Sequence, residues 1–183
     1  MTASKAFLPL SLCVLTVSDS RTLANDTSGD YLVEALQAEG HLLHARALLP
    51  DDKYQLRAQA SAWIADRDAD GILVTGGTGF TGRDSTPEAL LPLLDKQMTG
   101  FGELFRALSF EEIGTSTLQS RAFAGLANAT FLFALPGSTS ACRTAWDKII
   151  RAQLDARTKP CNLVNLKPRL LESSHIDARA RDR

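Results

Sequence analysis

The sequence predicts an α/β fold: a mostly parallel, mixed sheet in a three-layer arrangement with helices. Two observations carry this expectation. Apolar strand-forming runs alternate with stretches of helical period in a βαβα order, and several of those runs end in glycine- or proline-rich turns that open the next helix. At 183 residues, 44% hydrophobic and 22% charged, the chain also has the size of one globular domain with a sizeable core.

The elements follow in order. Leu12 to Ser18 is an almost continuous apolar run, as expected of a strand buried on both faces of a parallel sheet. Asp26-Thr27 can cap a helix that carries Tyr31, Leu32, Val33 and Leu36, with Gly40 as its stop. His41 to Leu49 reads as a second strand, Tyr54 to Asp66 as a helix with Leu56, Trp63 and Ile64 inward, and Gly71 to Val74 as a third strand. Thr86 can cap a helix with Pro87 at its first position and Leu90, Leu91 and Leu94 along it, and Pro92 shortens that helix. Phe101 to Phe110 has a helical pattern, while Ala122 to Leu135 holds two β-like runs parted by Asn128, an antiparallel hairpin. A long helix is expected from Thr139 to near Ala156, with Trp146, Ile149, Ile150 and Leu154 on one side. The compact domain therefore spans 8–168, and the charged stretch 169–183, without an apolar pattern, is expected to be a flexible tail.

Composition narrows the classes of function. A formal net charge of -1 argues against a broad electrostatic footprint for nucleic acid. Cys13, Cys142 and Cys161 are odd in number and widely spaced, so neither a disulfide framework nor a zinc site is suggested, and a cytoplasmic location is expected. No apolar stretch reaches the length of a membrane span, and no membrane partner is expected. His41, His44 and His175 lack metal-ligand spacing; His41 and His44 are expected to face solvent or strand neighbours. Cys13, in an apolar strand, is expected to be core.

The stretch Thr75-Gly76-Gly77-Thr78-Gly79 is the most informative part of the chain. It follows an apolar strand and precedes a helix, so its backbone N–H groups and the positive helix end suit a phosphate. Asp84, just beyond, can hold Mg²⁺ on such a phosphate or orient water. The same glycines could serve only as a tight turn, and they match neither the P-loop nor the dinucleotide spacing. Four other stretches could contribute: Ser18-Asp19-Ser20-Arg21, Pro50-Asp51-Asp52, Gly102-Glu103 and Pro136-Gly137-Ser138-Thr139. Each has a plainer role open to it. Asp19 or Asp26 can cap the first helix, Asp51 or Asp52 the second and Ser138 the last, and Glu103 can be a solvated helix residue. Loops that follow parallel strands would nevertheless crowd one edge of the sheet, where α/β proteins bind ligands.

In combination, Thr75-Gly-Gly-Thr-Gly79, Arg83-Asp84-x-Thr86-Pro87-Glu88-Ala89, Gly100-Phe-Gly-Glu-Leu-Phe-Arg106, Ser120-Arg121 and Leu135-Pro-Gly-Ser-Thr139 resemble the MoaB/MogA family of molybdenum cofactor biosynthesis proteins. The run from Leu135 to Trp146 is most similar to the MoaB branch, since the MogA-like branch has Gln-Pro or Asn-Pro at Ser138-Thr139. The resemblance covers about Leu12 to Pro168. It implies a three-layer α/β/α molybdopterin-binding fold, self-association as a trimer or hexamer, and cytoplasmic work beside other cofactor-biosynthesis proteins. It also implies transfer of AMP from Mg·ATP to the terminal phosphate of molybdopterin. Carried over, Gly76, Gly77, Thr78 and Gly79 hold phosphate, with Thr75 beside them; Asp84 holds Mg²⁺ or orients the reacting phosphate. Asp51 is the second acidic group, and Glu103, Ser120, Gly137 and Ser138 line the pterin or phosphate pocket. The alternative is a catalytically silent molybdopterin-binding oligomer, favoured by the departure at Ser138-Thr139. A Rossmann-type oxidoreductase fits poorly, because the glycine spacing differs.

Overall fold

A computed structural model describes residues 6–170. Six strands form one sheet in the order β2-β1-β3-β6-β5-β4. These are β1 (Ser11–Val17), β2 (Leu42–Leu49), β3 (Gly71–Thr75), β4 (Lys96–Gln97), β5 (Phe123–Ala127) and β6 (Thr130–Leu135). β2, β1, β3 and β6 run parallel, whereas β5 and β4 are antiparallel to their neighbours, so the sheet is mixed as the sequence predicts. The β5–β6 turn places Asn128 and Ala129 at φ 47° and 65°, the left-handed pair that a two-residue hairpin requires.

The helices cover both faces. α1 (Thr27–Ala38), α4 (Thr99–Ile113) and α5 (Thr139–Ala145) lie on one side, where Leu32, Leu36, Phe101, Phe105 and Trp146 pack against Leu12, Val14, Leu73 and Phe133 of the sheet. On the other side α2 (Lys53–Ala65) and α3 (Thr86–Leu90) bury Leu56, Trp63, Ala89 and Leu90 against Cys13, Leu15, Ile72, Val74 and Leu132. Alternate residues of β1 and β3 thus face opposite helical layers, which explains why these strands read as unbroken apolar runs. Burial pushes the Cys13 thiol up to about 12.

Several boundaries differ from expectation, each for a local reason. Thr86 is the first helical residue of α3 and not its cap: the preceding Ser85 holds that position, and the Thr86 hydroxyl donates to the Gly76 carbonyl at 2.8 Å. Pro92 does end α3 early, in a 3₁₀ turn from Leu91 to Leu93. The last helix is interrupted: after α5 the chain winds into a π-helix, Trp146–Ile150, and closes with α6 (Arg151–Gln153). His41 is buried and accepts a hydrogen bond from the Leu10 N–H at its Nδ1 (3.2 Å), with Phe7 and Trp146 against its ring, so it does not face solvent. His44 instead pairs with Asp66 at 2.8 Å. Of the tail expected over 169–183, Arg169 ends a 3₁₀ helix, Val164–Arg169, and the residues beyond 170 lie outside the described ones. Among the described residues no helix is long and apolar enough to cross a membrane.

Candidate functional site

Parallel strands deliver their C-terminal loops to one edge of the sheet. β1 and β3 are neighbours, and the chain leaves β1 for α1 on one face of the sheet and β3 for α3 on the other, so their loops diverge and open a crevice, as at the switch points of doubly wound sheets. Ser18, Pro50, Gly76 and Pro136 each follow a strand at that edge. The glycine loop turns sharply there because Gly76 and Gly77 adopt φ +109° and +63°. A Cβ at Gly76 would run into the Val17 carbonyl, and one at Gly77 into the Thr86 hydroxyl and the Asp51 carboxylate. Three bonds tie the turn to its surroundings: Gly76 N–H to the Leu135 carbonyl at 3.0 Å, Thr86 N–H to the Gly77 carbonyl at 3.0 Å, and the Thr75 hydroxyl to the Pro136 carbonyl at 2.9 Å.

A cavity of about 500 Å³ opens over this loop. Its floor is Thr75 to Gly79; Val17, Ser18 and Arg21 form one wall and Pro136, Gly137 and Ser138 another. Phe105 and Ile113 of α4 with Ala141 and Thr144 of α5 close the apolar side, and Ser120 lies at the rim. The Thr78 hydroxyl is buried in this lining and has no hydrogen-bond partner. A buried hydroxyl left unsatisfied is costly, so this atom is set for a ligand or a bound water. Ser138 caps α5 by accepting from the Ala141 N–H at 3.2 Å while still lining the cavity. Arg21 donates to the Ser28 hydroxyl at 2.9 Å and brings a cation to the same wall.

A second cavity, about 570 Å³, lies beyond the loop from Phe80 to Ser85. Asp51, Lys53, Tyr54, Glu88 and Arg121 form its other sides. Asp84 lines both cavities. Its Oδ2 accepts from the Thr81 N–H at 2.8 Å and the Thr81 hydroxyl at 2.6 Å. Burial alone would raise its pKa, but the Thr81 donors, the Gly79 N–H and the Arg121 charge prevail and hold the carboxyl below its ordinary range. Asp51 moves the other way. Burial and the charges of Asp84 and Asp19 raise it, against the opposing bonds from the Ser85 N–H and hydroxyl. The two carboxylates are thereby pushed apart, one firmly ionised and one closer to protonation. Asp52, not Asp51, caps α2, accepting from Tyr54 and Gln55 N–H at 3.0 and 2.9 Å. Asp19 caps no helix: it accepts from the Asp51 N–H at 3.1 Å and pairs with Arg83 at 2.5 Å.

Of the residues singled out in the sequence, Thr75, Gly76, Gly77, Thr78, Gly79, Asp84, Ser120, Gly137 and Ser138 come together around the first cavity. Asp51 lines the second. Glu103 does not join them: Phe101 and Phe105 turn into the core, which leaves Glu103 exposed on α4, lining neither cavity. Arg121 and Tyr54 were missed as site residues. The Ser120-Arg121 pair was a usable signal for the first; no local pattern marks Tyr54. Two carboxylates could serve a metal ion here. Asp84 and Asp51 flank the glycine loop, and among the described residues no group of three or more His, Cys, Asp or Glu side chains forms a cage. A hard cation that keeps several waters suits such a sparse carboxylate pair.

Fold and cavities define the class: a three-layer α/β protein with a ligand cavity at the C-terminal ends of its parallel strands. Residues 13–156 match the family described as a probable molybdopterin binding domain, and the chain belongs to that family. It is 58% identical over 159 residues to molybdenum cofactor biosynthesis protein B of Escherichia coli strain K12, covering 87% of this chain and 94% of that protein. A crystal structure of molybdenum cofactor biosynthesis protein B superposes with a TM-score of 0.79 at 40% identity, covering 82% of this chain and 94% of the other. The tungsten cofactor synthesizing protein MoaB from Pyrococcus furiosus gives 0.72 at 36% identity, covering 80% and 92%. The resemblance to the MoaB branch read from the sequence is thus upheld.

Proposed function

We propose that the protein binds molybdopterin and transfers AMP to its terminal phosphate from Mg·ATP. The observation that carries this reading is a single acidic residue, Asp84, that lines two cavities, one of which holds the glycine loop and the unpartnered Thr78 hydroxyl. Two phosphorylated substrates could meet at such a residue. An oxygen of the molybdopterin phosphate attacks the α-phosphorus of ATP, a P–O–P linkage forms, the bond to the β-phosphate breaks, and pyrophosphate departs with the bonding pair. Such a reaction asks the protein mainly for positioning and charge stabilisation. Gly76, Gly77 and Gly79 offer backbone N–H groups, Thr78 its hydroxyl, and Ser120, Gly137 and Ser138 the opposite rim. Asp84 and Asp51 would hold Mg²⁺, which when bound neutralises charge on the phosphate oxygens. Self-association as a trimer or hexamer, and work alongside other cofactor-biosynthesis proteins, belong to the same proposal.

One observation favours a silent binding protein instead. Where the adenylylating branch has Gln-Pro or Asn-Pro, Ser138 here is a helix cap and Thr139 donates to the Thr27 hydroxyl at 3.1 Å, so both side chains are engaged within the fold. Incubation of the purified protein with molybdopterin and Mg·ATP separates the readings. Adenylylated pterin and pyrophosphate that vanish in Asp84→Asn establish the transferase; bound pterin without product establishes the silent binder.

A further inference from the structure

We infer that Arg121 is a positioning residue that pins the loop carrying Asp84 and so positions that residue, which lines both cavities. The inference rests on the proposed role of Asp84. The guanidinium Nε donates to the Gly79 carbonyl at 2.7 Å, Nη2 donates to the Asp84 carbonyl at 2.7 Å, and Nη1 meets the Glu88 carboxylate. The Arg121 N–H adds a bond to the Thr78 carbonyl at 2.9 Å. One residue therefore grips both ends of the loop from Gly79 to Asp84 and ties them to the chain entering β5.

The loop has little else to hold its position. Phe80, Thr81, Gly82 and Arg83 are all exposed, so no core burial anchors them. The bonds between Thr81 and Asp84 close a turn upon itself without fixing where that turn lies. Two ties remain: Ser85, just past the loop, donates its N–H at 3.1 Å and its hydroxyl to Asp51, and Arg83 pairs with Asp19, an exposed pair of a kind that contributes little. The Phe80 ring lies over the guanidinium at 5.6 Å and shields it from one side. A planar fork spreads five donors over three nitrogens and so reaches two carbonyls and a carboxylate set apart from one another, a geometry that the single nitrogen of a lysine does not reproduce.

Hydrogen exchange on the full chain, with Arg121→Lys and Glu88→Gln beside the unsubstituted protein, tests the pin directly. Peptides covering residues 79–85 are expected to exchange about tenfold faster in Arg121→Lys, the scale of one charge-assisted hydrogen bond, with the rest of the sheet unchanged. Glu88→Gln, which leaves the two carbonyl bonds, is expected to fall between. Affinity for Mn²⁺·ATP, read by the electron paramagnetic resonance of Mn²⁺, is expected to drop about tenfold or more in Arg121→Lys, as for other outer-shell partners of a metal site. The double variant Arg121→Lys/Asp84→Asn should bind no more weakly than Asp84→Asn alone, because Arg121 acts through Asp84. Unchanged exchange in the loop overturns the inference, and so does faster exchange with undiminished Mn²⁺·ATP affinity. If the unsubstituted protein itself fails to bind Mn²⁺·ATP, the metal and nucleotide reading falls, and loop exchange alone decides whether Arg121 is the pin.

Discussion

Asp26 is fully buried beside β1, where it accepts from the Thr16 hydroxyl at 2.6 Å, Arg46 Nη2 at 2.9 Å and the Gly29 N–H at 3.0 Å. Burial works against its charge, yet Thr16, Arg46 and Gly29 prevail and hold the carboxyl below its usual range. With the folded value below the unfolded one, its stabilisation is present above the ordinary carboxylate range and is lost as pH falls through the folded value. Asp26→Asn is expected to cost about 2–4 kcal/mol in urea unfolding at pH 7, and the gap to the parent protein should close in acid. At the proposed site the sign differs between neighbours. Asp51 is raised and Asp84 lowered, so on acidification Asp51 takes its proton first. Mn²⁺·ATP affinity should therefore weaken on an acidic limb that Asp51→Asn removes; a limb that survives this substitution excludes Asp51 as its source. Asp51 and Asp52 look alike in sequence, since either could cap α2. What separates them is long-range: Asp51 bonds Ser85, thirty-four positions away, and no local pattern encodes that.

Among the elements, the central strands and the hairpin were legible because unbroken apolar runs and an Asn at the turn have few other readings. β4, with two exposed residues, has no apolar signature at all, and it exists because Lys96 and Gln97 meet the edge of β5. The π-helical stretch after α5 was equally silent: Trp146, Ile149 and Ile150 keep a helical spacing, and only packing shows the wider turn. Glycine placement in the β3 loop, by contrast, was read correctly from sequence. Gly76→Ala would combine a left-handed backbone with a clash against the Val17 carbonyl. It is expected to lower unfolding free energy by about 2–4 kcal/mol, measurable in urea, whereas Gly82→Ala, with open space around it, should stay within about 0.5 kcal/mol.

For the whole molecule, the three-layer order and the strand-end site followed from the βαβα pattern, while surface use did not. α4 and the segment after it expose Leu104, Phe110, Ile113 and Leu118, and Leu118 is 78% exposed. Exposed apolar residues of this kind are where the proposed trimer or hexamer would bury surface. Phe110→Glu with Ile113→Glu is expected to sediment as a monomer where the parent protein does not; an unchanged oligomer would assign the interface elsewhere. The place of β6 carries a consequence for biosynthesis on the ribosome. It slots between β3 and β5 although it comes last of the described strands, and the cavity walls run on to Thr144. Until that point of translation β3 has an unpaired apolar edge, a hazard for sticking to other nascent chains. A polypeptide released early would carry the whole glycine loop and still have no pocket.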